Sequence, residues 1–442
     1  PRAVQHRSWT QAFQALSNRN YRLYWVAMLV SSLGARLQMV ALTWLVLKQT
    51  NSGFALGTVV MAASAPILIF SLFGGALADR LPKRPTLLIT QGGMLIQALL
   101  LAILVSTGAI NLWLIYALSV VAGLIEALDM PTEQAFVKEL VGPDKEKLAN
   151  ATELWATLFN GTKVAGPALG GVLVAAFGEA TCFYLNAVSF FAVLAALLLV
   201  DKRRLYPTPP PPPGSLITEV KAGVSYALRI ADIATIVLLL AALGLFGYNL
   251  GVLLPLIARY LLTSGPVGLG LLSAALGAGS LLGSLFVDFE GMNTRLHVLV
   301  GALVFTVMLL ALSLFHGWLL ILTVTVLLGF GSVLFLATAN ARLQVLAPDS
   351  FRGRIMGIYT LLLYGTTPFG SLLAGALADR IGIRETLALL AGLCGLGMGA
   401  TFVYLLRHRA QLQPDPTDDP ALHVEERLTH RLELYRHLFQ RQ

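Results

Sequence analysis

The succession of long apolar runs constrains this chain more than any other feature. A membrane hydrocarbon core about 30 Å thick takes about 20 apolar residues per helical crossing. Such runs follow one another at 20–47, 52–79, 84–107, 111–140, 147–177, 181–200, 231–259, 266–288, 296–315, 318–346, 353–379 and 384–406, which predicts twelve transmembrane helices. Only 12% of the 442 residues are charged and 56% are hydrophobic, so the chain cannot wet its own surface as a soluble domain does. The runs are not split into short alternating segments, which argues against a transmembrane β-barrel. The expected class is therefore an all-α membrane protein. The first run is longer than a signal-peptide core and is followed by further spans, so it is expected to be retained.

The net charge of +8 does not point to nucleic acid, because the basic residues collect in alternate loops. One side gathers Arg2, Arg7, Arg19 and Arg22, then Arg80, Lys83 and Arg84, then Lys138, Lys145 and Lys147, then Lys202 to Arg204, and later Arg295, Arg352 and Arg354. The other side has Lys48 and Arg259, with Arg380 and Arg384 as an exception. Cationic loops stay on the cytoplasmic side, so both termini are expected inside an integral plasma (inner) membrane protein. The two cysteines, Cys182 and Cys394, fall in opposite halves, and no disulfide between them is expected.

A proline run in "DKRRLYPTPPPPPGS", residues 201–215, interrupts the pattern near mid-chain. It separates an N-terminal six-helix bundle, 1–200, from a C-terminal one, 231–407. The linker, 201–230, carries apolar Val220, Val224, Ala227 and Leu228 at helical spacing, as expected of a short surface helix. The tail, 408–442, places Leu428, Leu432, Tyr435 and Phe439 on one stripe of a second amphipathic helix. The halves repeat at about 205 residues, a six-helix period: "ELVGPD" at 139–144 matches "QVLAPD" at 344–349. "GALADR" occurs at 75–80 and again at 375–380, but these copies are not related by that repeat. A shared local need, small residues for close helix contact before a charged helix end, or chance, accounts for the identity.

Ionisable groups within a bilayer are costly, so the few present point to function. The fourth span places Glu126, Asp129 and Glu133 on one face. Glu133 is expected at the interface, solvated. Glu126 and Asp129 are candidates for proton coupling, with a fixed ion pair as the other reading, and Arg36 of the first span is the expected partner, with Ser32 and Thr43 on its face. In the fifth span Asn160 and Lys163 are candidates to line a substrate cavity, Lys163 against a carboxylate or an anionic substrate. Tyr248 and Asn249 of the seventh span are candidates for the same cavity or for polar contact between helices. Asn340 and Arg342 lie near a span end, where a gate or interface role is expected.

"GGALADRLPKRPT" and "GPALGG", with "FYLNAVSFF" and "LDMPTEQAFVKELV", resemble segments of the major facilitator superfamily. The resemblance covers almost the whole chain and is closest to the branch of enterobactin-type siderophore exporters and macrolide efflux pumps. The family's loop motif is matched by Gly75, Leu77, Asp79, Arg80, Lys83 and Arg84, with Pro82 in place of the second glycine. The resemblance implies a conformational gate in which Asp79 faces the N-terminus of the eleventh helix, near Arg352 and Arg354. A cytoplasmic anchor alone accounts for Lys83 and Arg84. Gly166, Pro167, Gly170 and Gly171 resemble the helix 5 motif of the family's antiporters, although Thr162 stands where an upstream glycine is usual. Those residues also suit simple close packing and a kink.

The expected function is a secondary exporter of an amphipathic small molecule, drug-like or siderophore-like, exchanging it for protons by alternating access. Its partners are that substrate, protons and membrane lipids, with no nucleic acid, no cofactor and no metal; a monomer is expected. A lipid or lysophospholipid flippase on the same fold is the alternative, and a non-transporting receptor or membrane enzyme a remote one. No GxxxxGK[ST] phosphate loop is present, so direct ATP drive has no support. No His, Cys or Ser constellation with catalytic spacing lies in the spans, so no enzyme activity is expected.

Overall fold

The protein is all helix among the residues that its structure, a computed structural model, describes: 13–206, 226–227, 230–290 and 294–408, without the side chains of 71–79, 145, 288–290 and 349–350. The helices are α1 (Arg19–Thr50), α2 (Gly53–Arg80), α3 (Lys83–Ser106), α4 (Leu112–Val141), α5 (Lys145–Phe177) and α6 (Glu179–Leu199) before the linker. After it come α7 (Ala231–Phe246), α8 (Leu250–Leu256), α9 (Pro266–Glu290), α10 (Arg295–Leu314), α11 (Trp318–Leu346), α12 (Asp349–Gly365), α13 (Thr367–Ile381) and α14 (Ile383–Arg407). Eleven helical segments among the described residues are long and apolar enough to cross a membrane, which makes this an integral membrane protein. The fifth expected span is the exception. α5 is 33 residues long, but polar residues such as Asn160 and Lys163 dilute its hydropathy.

Local chemistry explains where the helices start and break. Asn18, Asn111 and Asp144 accept hydrogen bonds from the first free N–H groups of α1, α4 and α5. The expected seventh span is interrupted at Gly247–Asn249, between α7 and α8. A π-turn over Ile257–Leu261 then follows Pro255, which has no N–H to continue the regular ladder. The eleventh breaks between α12 and α13, just before Pro368.

Packing is mostly between helices on the same side of the linker: α1 with α5 and α6, α2 with α4, α3 with α4 and α6, then α9 and α10 with α11, and α14 with α7 and α10. Across it, α5 packs on α9 and α2 on α13. Both crossings use glycine. At α5/α9 a Cβ on Gly171 would meet the Pro266 carbonyl oxygen at 2.6 Å, and one on Gly270 would meet that of Pro167 at 2.6 Å. At α2/α13 Gly57 lies against Ser371, and Gly53 and Gly375 face each other. These contacts gather toward the end of the molecule that holds Asn51. At the end that holds Arg80, a Cβ on Gly353 or Gly357 would meet nothing within 4 Å.

The "GALADR" helix ends at Asp79 and Asp379 therefore belong to the two antiparallel partners of one crossing, α2 and α13. Most of the expected linker helix and all of the expected tail helix lie outside the described residues. Cys182 and Cys394 are buried and free.

Candidate functional site

A partly open cavity of about 200 Å³ lies where α1, α5, α8 and α9 meet, between the two sides of the chain. Arg36 and Lys163 reach it from α1 and α5, and Thr43, Ser273 and Ser280 add hydroxyls to walls that are otherwise largely apolar. Their placement follows from close helix packing. Gly166 and Gly170 of α5 face Arg36 and Val40 of α1, while Gly171 faces α9. The "GPALGG" glycines thus divide their work between holding α5 to α1 and bringing α5 against the other half of the chain.

Neither Arg36 nor Lys163 donates a hydrogen bond to any described residue. Arg36 lies within electrostatic reach of Glu126 on α4, Tyr364 on α12 and Lys163. Glu126 is accessible, and its charged neighbours come from α1 and its own helix. The expected Arg36 and Glu126 partnership is thus a neighbourhood, with no direct ion pair.

Deeper along α4, Asp129 accepts hydrogen bonds from Thr90 Oγ1 and, at 2.9 Å, from Gln91 Nε2, both on α3. Gln91 Nε2 also reaches Glu133 Oε1 at 3.4 Å. Glu133 is 8% exposed, so the expectation that it is solvated at the interface does not hold. The reason is the pairing of α3 with α4, which buries the Asp129 and Glu133 part of the acidic face. Tyr24 of α1 closes this cluster, edge-on to Phe136 at 5.2 Å and stacked on Trp155 at 6.0 Å. Thr90, Gln91 and Tyr24 carry no sequence signal of their own. What makes them legible is α3/α4/α1 adjacency, which a helical wheel does not supply.

The other expected residues are placed as follows. Asn160 lies one turn from Lys163 on α5 but does not line the cavity. Tyr248 and Asn249 do not line it either, because the helix break turns them elsewhere. Tyr248 stacks on Phe305 at 4.5 Å and donates to the Ser332 carbonyl at 3.0 Å, and Asn249 Nδ2 donates to the Leu245 carbonyl at 2.8 Å. Polar contact between and along helices is what both provide.

In the charged loop, Arg84 Nε donates to the Leu197 carbonyl at 2.6 Å, at the C-terminus of α6, where a cation meets the negative end of the helix. Lys83 is buried and its Nζ donates to the Leu81 carbonyl at 3.0 Å. Arg80 and Arg352 are exposed, and the Arg354 guanidinium lies 5.1 Å from the centre of the Phe351 ring. The side chains of Gly75 and Asp79 lie outside the described residues. Arg342 is buried on α11, 3.9 Å from Asp232, whose carboxylate also faces Arg295 at 2.7 Å. Asn340 accepts from Gln344 at 2.6 Å.

Known proteins match this chain over nearly its whole length. The model of the family described as transmembrane secretion effector matches residues 10–432. The multidrug efflux pump Tap of Mycolicibacterium fortuitum is 28% identical over 397 residues, 86% of this chain and 95% of that one. The staphyloferrin A transporter of Staphylococcus aureus is 26% identical over 380 residues, 85% of this chain and 93% of that one. Among solved structures, a POT family transporter in complex with 5-aminolevulinic acid shares the fold, with a TM-score of 0.72 and 12% identity over 90% of this chain and 97% of that one. The chain belongs to the transmembrane secretion effector family of major facilitator superfamily transporters, which are not enzymes.

Proposed function

We propose that this protein is a secondary exporter that carries an amphipathic small molecule out of the cell in exchange for protons. In this reading twelve spans form two six-helix bundles, 1–200 and 231–407, joined by the linker 201–230, with both termini cytoplasmic in the plasma membrane. The cavity at Arg36 and Lys163 opens to one side at a time as the bundles rock. The relatives named above, an efflux pump and a siderophore transporter, support export of small molecules. Neither supports the lipid-flippase alternative.

The observation that carries the reading is the cavity between the two halves, which Arg36 and Lys163 line without an ion pair to a described residue, with accessible Glu126 within electrostatic reach of Arg36. Charges placed there cost several kcal/mol unless they are wet or used. A donor or cationic group of the substrate brought against Glu126 favours the ionised carboxylate and expels its proton, which makes proton and substrate oppose each other. Asp129 and Glu133 continue the acidic row inward from Glu126 and give the proton a second station. At the Arg80 end, closure brings Asp79, after Gly75, to the N-terminus of α12 beside Arg352 and Arg354, while Arg80, Lys83 and Arg84 hold the loop at the cytoplasmic surface.

The test is Glu126→Gln in proteoliposomes loaded with dansylcadaverine under an imposed pH difference. Proton-driven movement is lost while dye binding persists. Undiminished proton-driven movement removes Glu126 from the coupling role.

A further inference from the structure

The charge in the cavity is not balanced. Arg36 has Glu126 within reach, but the charged group within reach of Lys163 among the described residues is Arg36, another cation. Lys163 is exposed to the cavity, makes no ion pair or hydrogen bond with a described residue, and stands among the apolar side chains of Met39, Leu250 and Leu276. With Glu126 ionised, the three groups carry one net positive charge, which a single carboxylate neutralises. We propose that Lys163 receives an acidic group of the transported molecule, so that the substrate class is an amphipathic carboxylate whose donor or cationic end meets Glu126. This rests on the exporter reading.

The pair of probes that isolates the claim is dansyl-lysine and dansylcadaverine, which differ by one carboxylate. The purified transporter is expected to bind dansyl-lysine about tenfold more tightly, the scale of one hydrogen bond to a charged group. Lys163→Gln removes that preference, and Lys163→Arg restores it. A preference retained in Lys163→Gln, or absent from the wild type, overturns the assignment. If the wild type moves both dyes equally under a pH difference, the exporter reading stands and the acid site falls. If it moves neither, both fall.

A second inference rests on the other end of the molecule. Asp379, at the end of α13, accepts from Ser52 Oγ at 2.5 Å, from Gly53 N at 2.6 Å and from Phe54 N at 3.0 Å, so its carboxylate sits on the N-terminus of α2. Beside it, Arg259 Nη2 donates to Asn51 Oδ1 at 2.7 Å and Tyr260 donates to the Asn51 carbonyl at 2.7 Å. The structure assigns the second "GALADR" to a latch that holds the Asn51 end shut: the acid at the end of α13 serves the N-terminus of α2. Gly53 and Gly375 let the two backbones come close enough for the carboxylate to reach.

Spin labels at Thr107→Cys and His316→Cys report this end, since the two native cysteines are buried. Asp379→Asn, which keeps the shape but loses the charge, is expected to shift the closed-to-open ratio about tenfold toward open and to broaden the label distance. Asp379→Glu retains part of the closed population. An unchanged distance distribution in Asp379→Asn overturns the latch.

Discussion

Substituting Gly171 with alanine tests whether close contact between α5 and α9 seals the Asn51 end. A Cβ there would stand 2.6 Å from the Pro266 carbonyl oxygen and 3.0 Å from the Gly270 Cα, whereas ordinary contact begins at 3.4 Å. The obstructing atoms are backbone on both counts, so no rotamer change relieves them, and the helices must part by about 0.8 Å at this level. Overpacking of this kind costs about 1–3 kcal/mol. That cost falls only on the state in which the two helices touch, so the closed population drops about tenfold for each 1.4 kcal/mol. Gly161→Ala is the control, because it lies on the same helix and a Cβ there meets nothing within 4 Å. Distances between labels at Thr107→Cys and His316→Cys, measured by pulsed electron resonance, read the population. If Gly171→Ala and Gly161→Ala give the same distribution, the seal is not made by this contact.

Two further outcomes follow from buried and capping charge. Asp232→Ala removes the carboxylate that Arg295 meets at 2.7 Å and Arg342 at 3.9 Å, and breaking a buried pair costs about 3–5 kcal/mol; the partial exposure of Arg295 places the effect at the lower end. A lowered thermal midpoint in detergent, with Asp232→Asn between it and wild type, is expected, and an unchanged midpoint for Asp232→Ala refutes it. At the exposed start of α5, hydrogen bonds from the Lys147 and Glu146 backbone N–H groups hold the Asp144 carboxyl below the usual aspartate range. A carboxyl depressed in the folded state stabilises above its unfolded pKa and loses that contribution as pH falls through its folded value. Wild type should therefore lose its advantage over Asp144→Ala on acidification below the ordinary aspartate range, and a pH-independent difference between their melting points counts against this cap.

How much of this was legible depends on whether a feature is local. The apolar runs marked the helices to within a few residues, as at 318–346, because about twenty oily residues specify a crossing without reference to any neighbour. Lys163 and Arg36 were legible as charges in a membrane for the same reason. The interruptions at Gly247–Asn249 and before Pro368 were not placed, although glycine and proline were visible, because membrane helices often absorb both.

What only the tertiary structure decided is which way each helix face turns. The stripe Glu126, Asp129 and Glu133 follows from helical spacing alone, but the burial of Glu133 required α3 to bring Gln91 across to it. Tyr248 stood at a position suited equally to a cavity or to a helix contact, and the break between α7 and α8 sent it to Phe305 and Ser332. The repeated "GALADR" was plain in the sequence, yet its meaning depended on α13 lying antiparallel to α2, so that Asp379 meets Gly53 from 326 residues away. Hydropathy is a property of one segment and can be summed along it, whereas the direction of a side chain is settled by which partner covers the opposite face.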